Sequence, residues 1–185
     1  MLMENIKVLQ NQKVIKSLII VILGSVILTI SAKIKIPFYP VPMTMQTFVV
    51  LLLGVTFGYR IAIAAVGLYL LEGIFGLPVF SNSPEKGIGI VYFTGPTMGY
   101  LIGFLLASFF AGYLNFKTNI FLIFLKLIFS VSFIYIFGVI WLGTLIGWDK
   151  PIIKLGVTPF LLAELFKILL LTFLAKKFLS FRKFI

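Results

Sequence analysis

From Ile120 to Trp141 the chain carries a single charged residue, Lys126. A segment of that length and apolarity crosses a bilayer only as an α-helix, which satisfies every backbone N–H and C=O from within. Comparable apolar runs at 17–32, 41–57, 61–76, 96–114 and 158–175 join 120–141 to give six expected spans. The intervals between them hold the breakers: "KIKIPFYPVP" (Lys33 to Pro42), "GLPVF" (Gly76 to Phe80) and "SNSPEKGIG" (Ser81 to Gly89). Proline lacks the N–H and has the wrong sterics for a helix interior, so none of these continues a helix. The predicted fold is an all-α integral membrane protein, a six-helix transmembrane bundle forming one domain, with a basic tail over 176–185. The first run is short for a core of ~30 Å at ~1.5 Å per residue, so Lys16 and Lys33 at its ends are expected to snorkel outward.

Composition excludes the competing classes. With 61% hydrophobic and 11% charged residues and a mean hydropathy of +1.18, a soluble globular domain is ruled out. The absence of Cys and His removes thiolate nucleophiles, disulfides, zinc sites and imidazole acid–base chemistry. A single aspartate, Asp149, leaves no carboxylate-rich metal site, and no P-loop motif is present. The net charge of +11 does not mark a nucleic-acid binder, because the basic residues sit at the ends of apolar runs rather than on one basic face.

Those basic residues orient the chain. Lys7, Lys13, Lys16, Arg60, Lys117, Lys176, Lys177, Arg182 and Lys183 fall on one side, and Lys33, Lys35, Lys86, Lys150 and Lys154 on the other. Nine against five places both termini and the tail in the cytoplasm of a bacterial plasma membrane. Trp141 and Trp148 near one face and Tyr59 and Tyr113 near the other read as interfacial belts. The first run lacks a convincing cleavage site and reads as an ordinary span rather than a signal peptide.

In the fourth span Gly99, Gly103, Ala107 and Ala111 recur every four residues, with Ser108 and Gly112 alongside. Such a ladder lets another helix approach closely where lipid supplies no hydrophobic drive, and packing within the bundle is its expected use. A looser stripe of Ser17, Val21, Ser25 and Thr29 on the first span suits either the bundle or another subunit.

Ionisable residues at membrane depth need a partner or a purpose. Lys126 is expected to snorkel. Glu72, near the outer end of the third span, is open to a structural or a functional role. Glu164 and Lys167, three residues apart in "PFLLAELFKILLLTFLA" (Pro159 to Ala175), share one helix face roughly 9–14 Å below the outer end. A buried ion pair rarely outperforms two apolar residues, because desolvation offsets its attraction. A polar, ligand-facing role is therefore favoured over mutual neutralisation. With almost no catalytic residues available, binding and moving a ligand fits better than chemistry.

Four blocks in order resemble the BioY family: "VPMTMQTFVVLLLG" (Val41 to Gly54), "GYR" (Gly58 to Arg60), "LYLLEGIFGLPVF" (Leu68 to Phe80) and "GPTMGYLIGF" (Gly95 to Phe104). These proteins are the biotin-binding S components of energy-coupling-factor (ECF) vitamin transporters. The resemblance implies a helical bundle that binds biotin near the outer face, with the first loop covering the pocket. It implies as partners a membrane T component and two ATPase subunits, in keeping with the missing P-loop, and it implies no cofactor and no enzymatic activity. The family's acid-x-x-Lys falls on Glu164 and Lys167, with Glu where Asp is usual. Asn82 falls in the site. Tyr39, Phe80, Tyr92 and Tyr100 are implied as walls for the apolar ring, and Thr44 and Gln46 as further polar contacts. Ser17, Val21, Ser25 and Thr29 lie where S components dock on the T component. Met98 stands where Gly is commoner. The alternatives are an S component for another vitamin, a solitary biotin transporter, and an intramembrane enzyme using Glu72 or Glu164.

Overall fold

The computed structural model describes residues 2–184, with side chains over 12–182. The side chains of Lys7 and Lys183, counted above on the inner side, and Ile185 at the end of the tail lie outside the described residues. The chain begins with α1 (Leu2–Lys33), followed by a short antiparallel pair, β1 (Lys35–Ile36) and β2 (Met43–Thr44), in which Lys35 faces Thr44. Then come α2 (Gln46–Phe57), α3 (Tyr59–Ile74), a 3₁₀ turn at Gly89–Thr94, and α4 (Met98–Tyr113). α5 (Ile120–Ile146), a one-turn α6 (Ile152–Gly156), a 3₁₀ turn at Thr158–Phe160 and α7 (Leu161–Leu179) follow, and a 3₁₀ turn at Ser180–Phe184 ends the chain.

Among the described residues, three stretches are long and apolar enough to cross a membrane by length and composition: Gln12–Lys33, Ile120–Ile146 and Ile152–Arg182; α2 and α4 are shorter apolar helices. α2 has only 12 residues, ~18 Å of helix, against a hydrocarbon core of ~30 Å. The apolar run expected over 41–57 therefore becomes helical only at Gln46. Pro40 and Pro42 supply no N–H, so Val41 and Pro42 stay outside the helix and Met43 and Thr44 enter the β pair instead. Non-helical backbone at this depth persists where it is buried in protein or lines a cavity, and here it does both.

The interior is dense where small residues admit backbones. A Cβ at Gly103 would lie 2.5 Å from the Ile134 Cα of α5, and one at Gly99 would lie 2.3 Å from the Phe137 carbonyl oxygen. Lower on the same helix Ala111 meets Gly54 of α2. The small-residue ladder of α4 thus packs within the bundle. Gly58, at φ 80° between α2 and α3, takes a backbone conformation that an L side chain resists, so one residue suffices to reverse the chain. Against this turn, a Cβ on Gly112 would sit 2.2 Å from the backbone nitrogen of Tyr59. Gly112→Ala is expected to destabilise the bundle by about 1–3 kcal/mol through this overlap with backbone, read as a lower thermal midpoint in detergent. An unchanged midpoint would mean that the α2–α3 turn moves aside freely.

At the same end, Arg182 donates to the carbonyls of Val55 (2.8 Å), Gly54 (3.0 Å) and Gly112 (3.1 Å). One guanidinium thereby joins C-terminal carbonyls of two helices. Lys126 stretches from α5 to the Asn115 carbonyl in the α4–α5 loop, also at this end.

Candidate functional site

The opposite end of the bundle encloses a cavity of about 560 Å³ of empty space, its open mouth included. Its cover is the β1–β2 segment, which contributes Val41, Pro42, Met43 and Thr44. The first halves of helices supply its floor: Gln46 and Thr47 from α2, Tyr100, Leu101 and Phe104 from α4 with Thr97 just before it, and Glu164 and Lys167 from α7. α5 adds Ile134 and Tyr135, and the breaker after α3 adds Phe80 and Ser81.

Two of the aromatic walls are seated on glycines. The Phe80 ring occupies the space a Cβ would take at Gly73, and Tyr100 does the same at Gly138. Phe80 stacks on Tyr92 with centroids 4.5 Å apart and meets Tyr69 edge-on at 5.3 Å. The Tyr100 hydroxyl donates to the Gly156 carbonyl at 2.8 Å, which ties α4 to α6. These rings are held by packing on both sides and so form a pre-set apolar slot.

Glu164 and Lys167 are 4% and 5% exposed, and both lie on the cavity wall. Oε2 of Glu164 accepts three bonds, from Tyr135 Oη (2.9 Å), Thr47 Oγ1 (3.0 Å) and Lys167 Nζ (3.0 Å). Oε1 is buried with no hydrogen-bond partner. Lys167 also donates to Thr47 Oγ1 at 2.6 Å and to the Thr44 carbonyl at 3.1 Å, so its three protons are all used within the protein. The pair thus divides its work. The lysine braces the carboxylate and holds the cover segment down at Thr44, while the carboxylate keeps one oxygen unsatisfied. An unpaired buried acceptor costs free energy that an arriving N–H donor would recover.

Of the residues expected from sequence, Thr44, Gln46, Phe80, Tyr92, Tyr100, Glu164 and Lys167 line the cavity. Gln46 is buried, with its amide donating to the Tyr69 hydroxyl at 2.7 Å. Tyr39 does not join them: it is 85% exposed on the cover, with Lys86 Nζ 5.7 Å from its ring centre. The cis Tyr39–Pro40 bond lies in the same turn. Asn82 is also outside the main cavity, and its Oδ1 accepts from Lys35 Nζ at 3.0 Å. Beside it Lys33 Nζ donates to the carbonyls of Phe80 (2.7 Å) and Ser83 (2.9 Å), and Lys35 to that of Ser81 (2.7 Å). Two lysines thereby fasten the base of the cover to the loop that carries Phe80.

The stripe on α1 is not an outward surface along its length. Ser25 is fully buried against α3, where its hydroxyl donates to Glu72, and Thr29 bonds back to the Ser25 carbonyl. Ser17, Val21 and Thr29 are half-buried. Leu18, Ile19, Ile22, Leu23, Val26 and Ile27 form the exposed face of this helix instead. The reason is helical phase: Gly24 and Ser25 are small residues in mid-helix, and a Cβ on Gly24 would come 2.9 Å from that of Ala65, so this side is where α3 fits. Glu72 accordingly meets a serine of α1 and does not line the cavity. Met98 is the first residue of α4 and half-buried.

Thr47, Tyr135 and Tyr69 are functional candidates that sequence reasoning missed. Thr47 follows Gln46 directly and could have been found there. Tyr135 shares a helix face with Val131, Ile134 and Gly138, and a phenol among aliphatic residues on a buried face is its one local signal.

Comparison with known proteins follows the same lines. A model of the BioY family matches residues 3–183. A probable biotin transporter BioY of Pyrococcus horikoshii is 33% identical over 152 residues, covering 82% of this chain and 89% of that protein. The biotin transporter BioY of Thermotoga maritima is 36% identical over 150 residues, covering 80% and 87%. The crystal structure of the S-component for biotin from an ECF-type ABC transporter superposes with a TM-score of 0.74 at 26% identity, covering 90% of this chain and 92% of that one. With its helical bundle, its covered cavity and nearly its whole length matched, this chain belongs to the BioY family.

Proposed function

We infer that this chain captures biotin for uptake, as the S component of an ECF-type transporter. The observation that carries the reading is Glu164: a buried carboxylate on the cavity wall with Oε2 fully bonded and Oε1 open. Biotin presents ureido N–H donors on a rigid ring, and one of them donates to Oε1 in a charge-assisted bond. The fused thiophane ring is apolar and fits between the Phe80–Tyr92 stack and Tyr100. Gln46, whose amide oxygen stands near Thr44 Oγ1, adds a polar group at the floor. The chain works as a transport subunit rather than an enzyme.

Orientation follows from which residues share each end. The cavity end carries Lys33, Lys35, Lys86, Lys150 and Lys154. The end with the α2–α3 turn and the chain's close carries Lys13, Lys16, Arg60, Lys117, Lys176, Lys177 and Arg182, seven against five. By the excess of basic residues inside, the cavity opens outward and both termini are cytoplasmic. A T component in the membrane and two cytoplasmic ATPases supply the energy, and the exposed aliphatic face of α1 is one of the apolar faces open to a membrane neighbour.

The test is direct binding. Protein purified in detergent and stripped of ligand is titrated with biotin by calorimetry, and co-purified ligand is identified by mass spectrometry. Saturable one-to-one binding of biotin supports the reading. No heat and no exchange with labelled biotin would refute it.

A further inference from the structure

At the end opposite the cavity, α5 carries a lysine where a lipid-facing helix has no local use for one. Lys126 lies ~9 Å along the helix from Ile120 and shares a face with Leu122, Phe129 and Phe133 through the spacings of four, three and seven. Leu122 and Phe129 are exposed on the bundle surface. The Lys126 ammonium donates to the Asn115 carbonyl in the α4–α5 loop, which uses one of its three protons. A cation at this depth with donors to spare needs a counter-group.

No carboxylate of the chain supplies it. Among the described side chains, Glu164 lies on the cavity wall, Glu72 meets Ser25, Asp149 pairs with Lys150 at 3.2 Å and Glu85 lies in the loop after Phe80, all away from this end. Further cations gather instead. Lys117 is exposed in the same loop, where its backbone nitrogen donates to Asn115 Oδ1 at 2.8 Å. Arg60 is exposed at the start of α3, with its guanidinium carbon 5.7 Å from the centre of the Tyr59 ring. Tyr59 in turn meets Tyr113, at the end of α4, with ring centres 6.2 Å apart.

Below these cations the aromatic rings form a continuous strip. Tyr113 stacks on Phe109 at 5.5 Å, and Phe109 meets Phe110 at 5.1 Å. Phe110 stacks on Phe133 at 4.5 Å and touches Phe129 edge-on at 5.3 Å, which carries the strip from α4 onto α5. Tyr113 is 66% exposed and Phe129 47%, so the strip opens toward lipid. Its far end, Phe133, lies ~20 Å along α5 from Ile120.

We propose that this face of α4 and α5 seats an anionic phospholipid, with the phosphodiester at Lys126, Lys117 and Arg60 and an acyl chain along the ring strip. Three cations without an acid beside them attract a lipid phosphate. Tyr113 stands at the level where a phenol meets both headgroup and hydrocarbon. The rings below single out a lipid, because a free phosphate or an acidic protein would use the cations and leave the strip bare. The assignment does not draw on the biotin reading.

The full chain in neutral detergent micelles is titrated with phosphatidylglycerol or phosphatidylcholine, and the lipid-bound fraction is read by native mass spectrometry. Phosphatidylglycerol is expected to bind at least tenfold more tightly. Lys126→Met should weaken phosphatidylglycerol about fivefold, the worth of one cation near the headgroup, and leave phosphatidylcholine unchanged. This variant places an apolar side chain on a lipid-facing surface, and an unchanged thermal midpoint without added lipid checks its fold. Lys126→Arg should keep the preference, and Lys154→Met, at the cavity end, should not alter it. Phe129→Ala should weaken both lipids alike. Equal binding of the two lipids by the native chain, or a preference that Lys126→Met leaves whole, overturns the assignment. So does displacement of the lipid by excess glycerol phosphate, which would make this a phosphate site, or Lys126-dependent binding of a polyglutamate peptide in its place, which would make it a protein site.

Discussion

Replacing Glu164 by Gln is expected to weaken biotin binding about 10- to 100-fold, the range of one charge-assisted hydrogen bond at ~1.5–3 kcal/mol. The size follows from how the carboxylate is held. Oε2 accepts from Thr47, Tyr135 and Lys167, so a glutamine must turn its one carbonyl oxygen to that side. Its NH₂ then takes the place of Oε1, and a donor faces a donor at the ligand's ureido group. Two controls separate this from general damage. Tyr135→Phe removes a donor to Oε2 and leaves Oε1 untouched, so its effect should stay below about fivefold. Glu164→Asp keeps the charge and should retain binding. If Glu164→Gln binds as tightly as the native chain, Oε1 is not the ligand's acceptor. If Glu164→Asp abolishes binding while Glu164→Gln does not, the acceptor role is refuted outright.

Lys167→Met is expected to cost about 3–5 kcal/mol of stability, because it strands a carboxylate that is 4% exposed without its cation. The loss is read as a lower thermal midpoint in detergent, and it should appear without ligand. Biotin affinity falls as well, since the ammonium also holds the Thr44 carbonyl of the cover at 3.1 Å. The double replacement Glu164→Gln and Lys167→Met should recover most of the stability, as removing both partners of a buried pair is often near neutral. It should not recover binding. A Lys167→Met protein as stable as the native chain would show that Thr47 and Tyr135 alone suffice to hold the charge. This outcome would also remove the lysine from its bracing role.

These two residues also show how far the chain could be read in advance. Their presence on one face of a lipid-spanning helix was legible because charge at that depth needs a reason. The division of labour between them was not. The sequence favoured a ligand-facing role for the pair, whereas the folded chain uses all three Lys167 protons on Thr44, Thr47 and Glu164. Two of those acceptors, Thr44 of β2 and Thr47 of α2, lie more than a hundred residues away, and nothing in a helix's own periodicity reports them. Ser25 gives the same lesson on packing. A stripe of small residues states that something fits closely there, but not whether the neighbour is α3 or another subunit. The Gly24–Ala65 contact decides it for the bundle.

The sequence alone determined that the chain is a membrane helical bundle, where its helices break, which end is the more basic, and which acid and base sit in apolar surroundings. Each of these is a local matter of hydropathy, proline and charge. Only the tertiary structure decided that α2 starts late enough to leave a cavity beneath the first loop. It alone placed Tyr135 and Thr47 on the carboxylate, set Tyr39 outside and joined Asn82 to Lys35. The physical reason is that a hydrogen bond or a ring contact depends on the meeting of distant segments, and single-chain periodicity fixes each segment's faces without fixing what they meet.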